Sequence, residues 1–215
     1  MNINHGKKSL YFQIQSFIHW QISDMNNIYL FALFFAVASA NIAVEDASFR
    51  ITRNTLSCFA CHNITWVILY ISDQDGSINK DFLNTFTNAI DRGITTVDAA
   101  LMVNDTFIPE EFSANVTHAL PASFNGTVWL RVYDSKRLWS QDVSQRIPYF
   151  EKLVLAFKQR GVKVGIYSRA KEWASVFGSQ GAGSDILEAT SIWYANYNNV
   201  KSFSDFSYAA FGTWD

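Results

Sequence analysis

The chain has 215 residues, of which 17 are basic and 19 acidic, giving a formal net charge of −2. This balance provides no electrostatic case for binding nucleic acid or an anionic membrane surface. A hydrophobic content of 49%, an aromatic content of 16% and only 3 prolines and 10 glycines are typical of a folded domain without long disordered linkers.

The first 40 residues differ in kind from the rest. The apolar run IYLFALFFAVASA, residues 28–40, ends in the small-residue pattern Ala38-Ser39-Ala40. This is typical of a signal peptide and its cleavage site, and the run is short for a membrane span, although a buried helix and a membrane anchor are alternatives. Residues 1–40 are therefore predicted to be a signal peptide with an upstream extension, in which Met25 is a second possible start. Residues 41–215 form one predicted domain without a stable membrane span.

Secretion is supported by four N-x-Ser/Thr sequons within a short stretch, at Asn63, Asn104, Asn115 and Asn125. A used sequon requires an exposed asparagine, so all four are predicted to lie at the surface. The predicted location is extracellular, or luminal in a secretory or endolysosomal compartment.

Two cysteines, Cys58 and Cys61, stand in the sequence CFACH. The pattern C-x-x-C-H matches c-type haem attachment and the redox C-x-x-C motif. A thioredoxin-like motif follows a strand and opens a helix, whereas here a strand-like run follows the motif, and no distal haem ligand stands out. We therefore predict a short-loop disulfide, or two small residues near the end of a helix. A redox protein is a distant alternative.

Strand-like and helix-like segments alternate along the predicted domain. Apolar, β-branched runs predict strands, and apolar residues at helical spacing predict helices. The predicted strands span 65–72, 95–103, 126–133, 162–168 and 191–197, and the predicted helices span 50–63, 80–93, 109–120, 140–161 and 170–178. Such alternation with short connections predicts an α/β fold, and aromatic and polar residues at the strand ends favour a β/α barrel over a doubly wound sheet.

Several segments together resemble the glycoside hydrolase family 25 lysozymes, in particular their secreted animal lysozyme-like branch. They are VWLRVYD (128–134), LWS (138–140), GVKVGIYSRAKEWASVFGS (161–179), IWYANYN (192–198) and SFSDFSYAAFGTW (202–214). The resemblance is strongest from Trp129 to Trp214 and implies a flattened, TIM-like β/α barrel that cleaves peptidoglycan. Because the chain stops before the family's final strand, the barrel is expected to be incomplete.

The resemblance also shows where this chain departs from the family. The third predicted strand would end as W-L-D-x-E, but Arg131 occupies the Asp position and Tyr133 the Glu position. A further acid position corresponds to Asn198. Neither arginine nor tyrosine is a ready substitute for a carboxylic acid that donates a proton near neutral pH. No catalytic residue is assigned, and Asp46 and Asp134 are the remaining weak candidates.

The expected function is that of a secreted lysozyme-like protein, related by analogy to innate defence or digestion, that is a weak or inactive enzyme. The alternative is a non-catalytic glycan-binding or structural pseudoenzyme. The expected partner is peptidoglycan or a related N-acetylated glycan, without cofactor or metal. Arg131 is expected to pair with Asp98, with Asp46 as the second candidate, or to be solvated. The residues predicted to line the groove are Asp98, Tyr167, Trp193, Tyr194 and Tyr197, with barrel packing as the alternative for the aromatic ones.

Overall fold

A computed structural model describes residues 43–46, 51–134, 138–140, 142–178 and 184–195, with only the backbone described for 43–46. The predicted signal segment, Met25, Tyr197 and Asn198 lie outside these ranges, and so does the side chain of Asp46. These predictions therefore stay predictions.

Within the described ranges the chain has six strands and six helices. The strands form one parallel sheet in which neighbours in sequence are neighbours in space. They are β1 (Ala43–Asp46), β2 (Trp66–Tyr70), β3 (Thr96–Met102), β4 (Thr127–Arg131), β5 (Lys163–Ser168) and β6 (Ser191–Tyr194). Six helices connect or follow them: α1 (Arg53–Cys61), α2 (Phe82–Asp91), α3 (Pro109–Ala119), α4 (Val143–Gln159), α5 (Ala170–Phe177) and α6 (Asp185–Glu188). The predicted alternation is confirmed, and two short elements, β1 and α6, are additional to the predicted ones.

The sheet has the strand order of a β/α barrel but is not closed within the described ranges. β1 pairs only with β2, and β6 pairs only with β5. The predicted flattened and incomplete barrel-like architecture agrees with this arrangement. The carboxyl ends of all six strands lie at one edge, because every pairing is parallel.

Alternate residues of strands β2 to β6 face two different cores. The helix-side core contains the apolar residues between sheet and helices, including Val67, Leu69, Val97, Leu101, Val128, Leu130 and Ile166. The inner core contains Trp66, Ile68, Ala100, Trp129, Tyr167, Trp193 and Ala195. Burial on both faces explains why the strands read as continuous apolar runs rather than as alternating patterns.

Gly165 makes room for the largest side chain of the inner core. A Cβ atom at this position would lie 2.3 Å from Cζ3 of Trp129, whose side chain is fully buried. We expect Gly165→Ala to lower the free energy of unfolding by about 1–3 kcal/mol, because the indole has no space to withdraw. Thermal unfolding measures this effect.

Ser191→Ala is the matched control for Gly165→Ala. Ser191 is the register partner of Gly165 on β6 and is exposed, so its melting temperature should stay close to that of the unmutated protein. An unchanged melting temperature for Gly165→Ala would show that the inner core is looser than described.

Candidate active site at the carboxyl end of the sheet

Arg131 is the last residue of β4 and lies between two tyrosine rings. Its guanidinium carbon is 5.0 Å from the centre of the Tyr70 ring and 4.5 Å from the centre of the Tyr167 ring. Tyr167 is its register partner on β5, and only 8% of Arg131 is exposed. A cation over aromatic faces is stabilised by about 2 kcal/mol or more when desolvated. The aromatic rings therefore help an arginine to occupy an interior position.

The structure corrects the prediction that Asp98 pairs with Arg131. Asp98 Oδ2 accepts hydrogen bonds from Trp66 Nε1 at 3.1 Å and Trp129 Nε1 at 2.8 Å, and its Oδ1 accepts one from Thr127 N at 2.8 Å. Arg131 is in register with a residue four positions further along β3, which corresponds to roughly 13 Å along the strand.

Asp98 is also not a groove residue, since it lies toward the amino end of the sheet and is 3% exposed. Burial raises the pKa of Asp98, although Thr127 N–H, the two indole N–H groups and Lys163 act in the opposite direction. Its carboxylate connects neighbouring strands below the inner core, which is a structural role.

Tyr133 and Asp134 lie beyond the end of β4. The predicted strand extends to residue 133, but regular strand structure stops at Arg131. Tyr133 therefore does not share a regular strand face with Arg131. Tyr133 is half-buried against the helix-side core, and its backbone oxygen accepts a hydrogen bond from Trp139 Nε1 at 2.8 Å. Asp134 is exposed and its Oδ2 accepts a hydrogen bond from Ser175 Oγ of α5 at 2.7 Å.

Glu172, in the first turn of α5, was missed by the sequence analysis. It is 9% exposed, its Oε1 lies 3.9 Å from Arg169 Nη1, and its Oε2 is buried without a hydrogen-bond partner. Burial raises the pKa of Glu172, Arg169 and Arg131 oppose this effect, and Asp134 adds to it. Helical spacing places Glu172 above the buried Val176, one turn later, which is the signal that could have found it.

The aromatic candidates divide between packing and the carboxyl edge. Tyr167 and Trp193 are 1% and 2% exposed, and their ring centres lie 4.6 Å apart. Trp193 also packs edge-to-face against Trp129 at 5.6 Å. The prediction that Tyr167 and Trp193 line a groove is therefore wrong, because both rings fill the interior. Tyr194, at the end of β6, is half-buried.

Three of the four sequon asparagines are exposed. Asn63, Asn115 and Asn125 lie at the surface, whereas Asn104 is buried and its Nδ2 donates a hydrogen bond to Gln74 O at 3.3 Å. The prediction of an exposed Asn104 is wrong because this amide stabilises a loop. Asn63 and Asn125 precede β2 and β4 respectively, so they lie at the end of the sheet opposite to Arg131.

The structure does not join Cys58 and Cys61 in the predicted disulfide. Both are free, exposed thiols one turn apart on α1. His62 Nδ1 lies 2.8 Å from Cys58 O, so it donates a hydrogen bond at the helix end. The alternative of two small residues near the end of a helix agrees with this position, although both are exposed.

Other features of the described ranges lie away from Arg131. A cavity of about 530 Å³ lies between α1 and α2, lined by Ile51, Thr52, Arg53, Asp81, Asn84, Thr85 and Asn88. Within those ranges no group of three or more His, Cys, Asp or Glu side chains is arranged to hold a metal ion. None of their helices combines the length and apolar character needed to cross a bilayer.

Comparisons with known proteins agree with the observed fold. The chain is 28% identical over 187 residues to probable GH family 25 lysozyme 4 of Dictyostelium discoideum, covering 85% of this chain and 83% of that protein. It is also 28% identical over 192 residues to lysozyme-like protein 5 of Caenorhabditis elegans, covering 85% and 84% of the two chains.

Solved structures show the same fold at low sequence identity. The bacterial lysozyme of Streptomyces coelicolor matches with a TM-score of 0.56 and 16% identity, covering 72% of this chain and 73% of that one. The muramidase of Trichobolus zukalii matches with a TM-score of 0.56 and 12% identity, covering 74% and 77%. The family model described as lysozyme-like protein 1 matches residues 36–215. The chain therefore belongs to the lysozyme-like protein family, which is related to the glycoside hydrolase family 25 lysozymes.

Proposed function

We propose that this chain is a secreted lysozyme-like protein that binds N-acetylated glycans of the peptidoglycan type and has lost most of the family's hydrolytic activity. The observation that carries the proposal is Arg131, which occupies an acid position of the family and is buried between Tyr70 and Tyr167. The apolar run before residue 41 and the three exposed sequon asparagines support secretion.

The chemistry of glycoside hydrolysis explains the loss. Cleavage needs a proton donor at the leaving oxygen and a second carboxylate that activates water or attacks the sugar. General acid–base assistance is worth about 10² to 10⁴ in rate. An arginine side chain in place of a carboxylate cannot accept a proton from water, and a phenol is a far weaker acid than a carboxyl group. Positions 131 and 133 therefore lack the two carboxyl groups that the family's reaction needs.

Binding does not depend on those groups. Tyr70 and Tyr194, at the ends of β2 and β6, and Tyr133, just beyond β4, are half-buried and bring aromatic surface to the carboxyl edge. Aromatic surface with few polar groups is typical of ligand sites, and the carboxyl end of a β/α sheet is where such sites form. A redox function is less favoured, since the cysteines lie at the end rather than the beginning of α1.

Co-sedimentation with insoluble peptidoglycan tests the binding proposal. The mature protein should be retained, and Tyr194→Ala should weaken retention at least threefold, because it removes aromatic surface from the carboxyl edge.

Leu83→Ala is the control for the co-sedimentation experiment. Leu83 is 55% exposed on α2, away from the carboxyl edge, and its loss should leave retention unchanged. Failure of the unmutated protein to bind, or equal weakening by both variants, would contradict the proposed function.

A further inference from the structure

We propose that Glu172 and Asp134 form a second carboxyl pair that carries the residual glycoside hydrolysis of this protein, with Glu172 as proton donor and Asp134 as the base that activates water. The inference rests on the proposed function for the class of ligand. It places the reacting groups on α5 and on the segment after β4, and not on the strand positions of the family.

Hydrogen bonding brings the two carboxyl groups together. Asp134 Oδ2 is held by Ser175 Oγ at 2.7 Å, and Ser175 lies three residues after Glu172 on the same helix. Side chains three apart on a helix are neighbours, with Cβ atoms about 5–6 Å apart. Asp134 also acts electrostatically on Glu172. Asp134 is therefore anchored to the helical turn that carries Glu172, as a pair of carboxyl groups acting on one glycosidic bond requires.

The environments of the two groups differ in the manner that acid and base require. Glu172 is more than nine-tenths buried and has one oxygen without a hydrogen-bond partner, which favours the protonated form. Asp134 is exposed, and its Oδ2 accepts a hydrogen bond from Ser175 Oγ. A buried carboxyl group beside an exposed one is the arrangement that distinguishes proton donor from base in a carboxyl pair. Arg131 and Arg169 lie close enough to act on Glu172 and moderate the effect of burial.

The reaction balances with water as the only co-reactant. The Glu172 proton passes to the glycosidic oxygen as the bond from that oxygen to the anomeric carbon breaks, and the bonding electrons leave with the oxygen. Water attacks the anomeric carbon and gives one proton to the Asp134 carboxylate. One glycan becomes two, with a new hydroxyl group on each side of the cleaved bond, and exchange with solvent restores both carboxyl groups.

Reducing-end release from purified peptidoglycan over long incubation tests the pair. The unmutated mature protein should release reducing ends slowly, and Glu172→Gln and Asp134→Asn should each lower the rate at least tenfold while retaining the glycan in co-sedimentation. Asp134 is exposed, so its variant keeps the test valid if Glu172→Gln fails to fold. Glu111→Gln, an exposed acid on α3, is the matched control and should hydrolyse at the unmutated rate.

The outcomes separate this inference from the proposed function. Binding without measurable hydrolysis by the unmutated protein would overturn the carboxyl pair and leave the proposed function standing. Hydrolysis that persists in Glu172→Gln would also overturn the carboxyl pair. A Glu172→Gln variant with a lower melting temperature and an unchanged rate of hydrolysis would show that Glu172 is a structural charge in the first turn of α5. Absence of binding would overturn the proposed function itself.

Discussion

The double change Arg131→Asp with Tyr133→Glu is expected to raise the rate of peptidoglycan hydrolysis by about 10² or more over the unmutated protein. It rebuilds a carboxyl pair at the two family positions, and general acid–base assistance supplies about 10² to 10⁴ in rate. The unmutated protein should not visibly clear bacterial cell walls between about pH 4 and pH 8, since positions 131 and 133 carry no carboxyl groups. Wall turbidity and reducing-end release measure the difference.

The double change Arg131→Asn with Tyr133→Gln is the matched control. It removes the same two side chains and introduces polar groups of similar size without an acid. It should fold and bind as well as the acidic variant and stay as slow as the unmutated protein. Equal rates for the two double variants, with binding intact, would show that the carboxyl end of the sheet no longer holds glycan in a reactive position.

Asp98→Ala is expected to cause the largest loss of stability. It leaves the indole N–H groups of Trp66 and Trp129 and the backbone N–H of Thr127 without their acceptor. An unsatisfied buried polar group costs about 1–3 kcal/mol, so the free energy of unfolding should fall by roughly 3 kcal/mol or more. Denaturant unfolding followed by tryptophan fluorescence measures it.

Asp91→Ala, on the exposed end of α2, is the control and should unfold as the unmutated protein does.

The pH dependence of stability gives a second check on Asp98. Because the pKa of Asp98 is raised in the folded state, its contribution to stability is complete below its unfolded pKa of about 3.9 and is lost as pH rises through the folded pKa. The stability advantage of the unmutated protein over Asp98→Ala should therefore shrink as pH rises. An advantage that grows with pH would contradict the assigned environment.

The sequence predicts strands β2 to β6 well because each is an apolar run between turn residues, and it predicts the longer helices because their apolar stripes repeat at helical spacing. It does not predict β1, which has only four residues, two of them acidic. It does not predict how far along the barrel axis each polar residue lies. Asp98 and Arg131 both point to the inner face, but only the strand register shows that they belong to opposite ends of the sheet. Helix α6 was not predicted because four residues are too few to show the helical spacing of apolar side chains.

The candidate site was only partly predictable for a related reason. Arg131 was found because a charged residue interrupts a buried strand, which is a local signal. Its tyrosine neighbours come from β2 and β5 and could not be paired with it before the register was known. Glu172 lies in a helix whose apolar stripe drew attention away from its single acid. Only its spacing of one helical turn from the buried Val176 indicated that it faces the core.

The position of Arg131 also restricts the order in which carboxyl groups could usefully be introduced at positions 131 and 133. A glutamate introduced at position 133 alone would lie two residues along the chain from the Arg131 guanidinium, and a nearby cation favours the ionised carboxylate and lowers its pKa. Such a group would not donate a proton near neutral pH. Selection for hydrolysis would therefore see no benefit from that first step and would have to replace the arginine beforehand, at the expense of the cation stacked between Tyr70 and Tyr167. Arg131 therefore blocks any route to hydrolysis that begins with a change at position 133 alone.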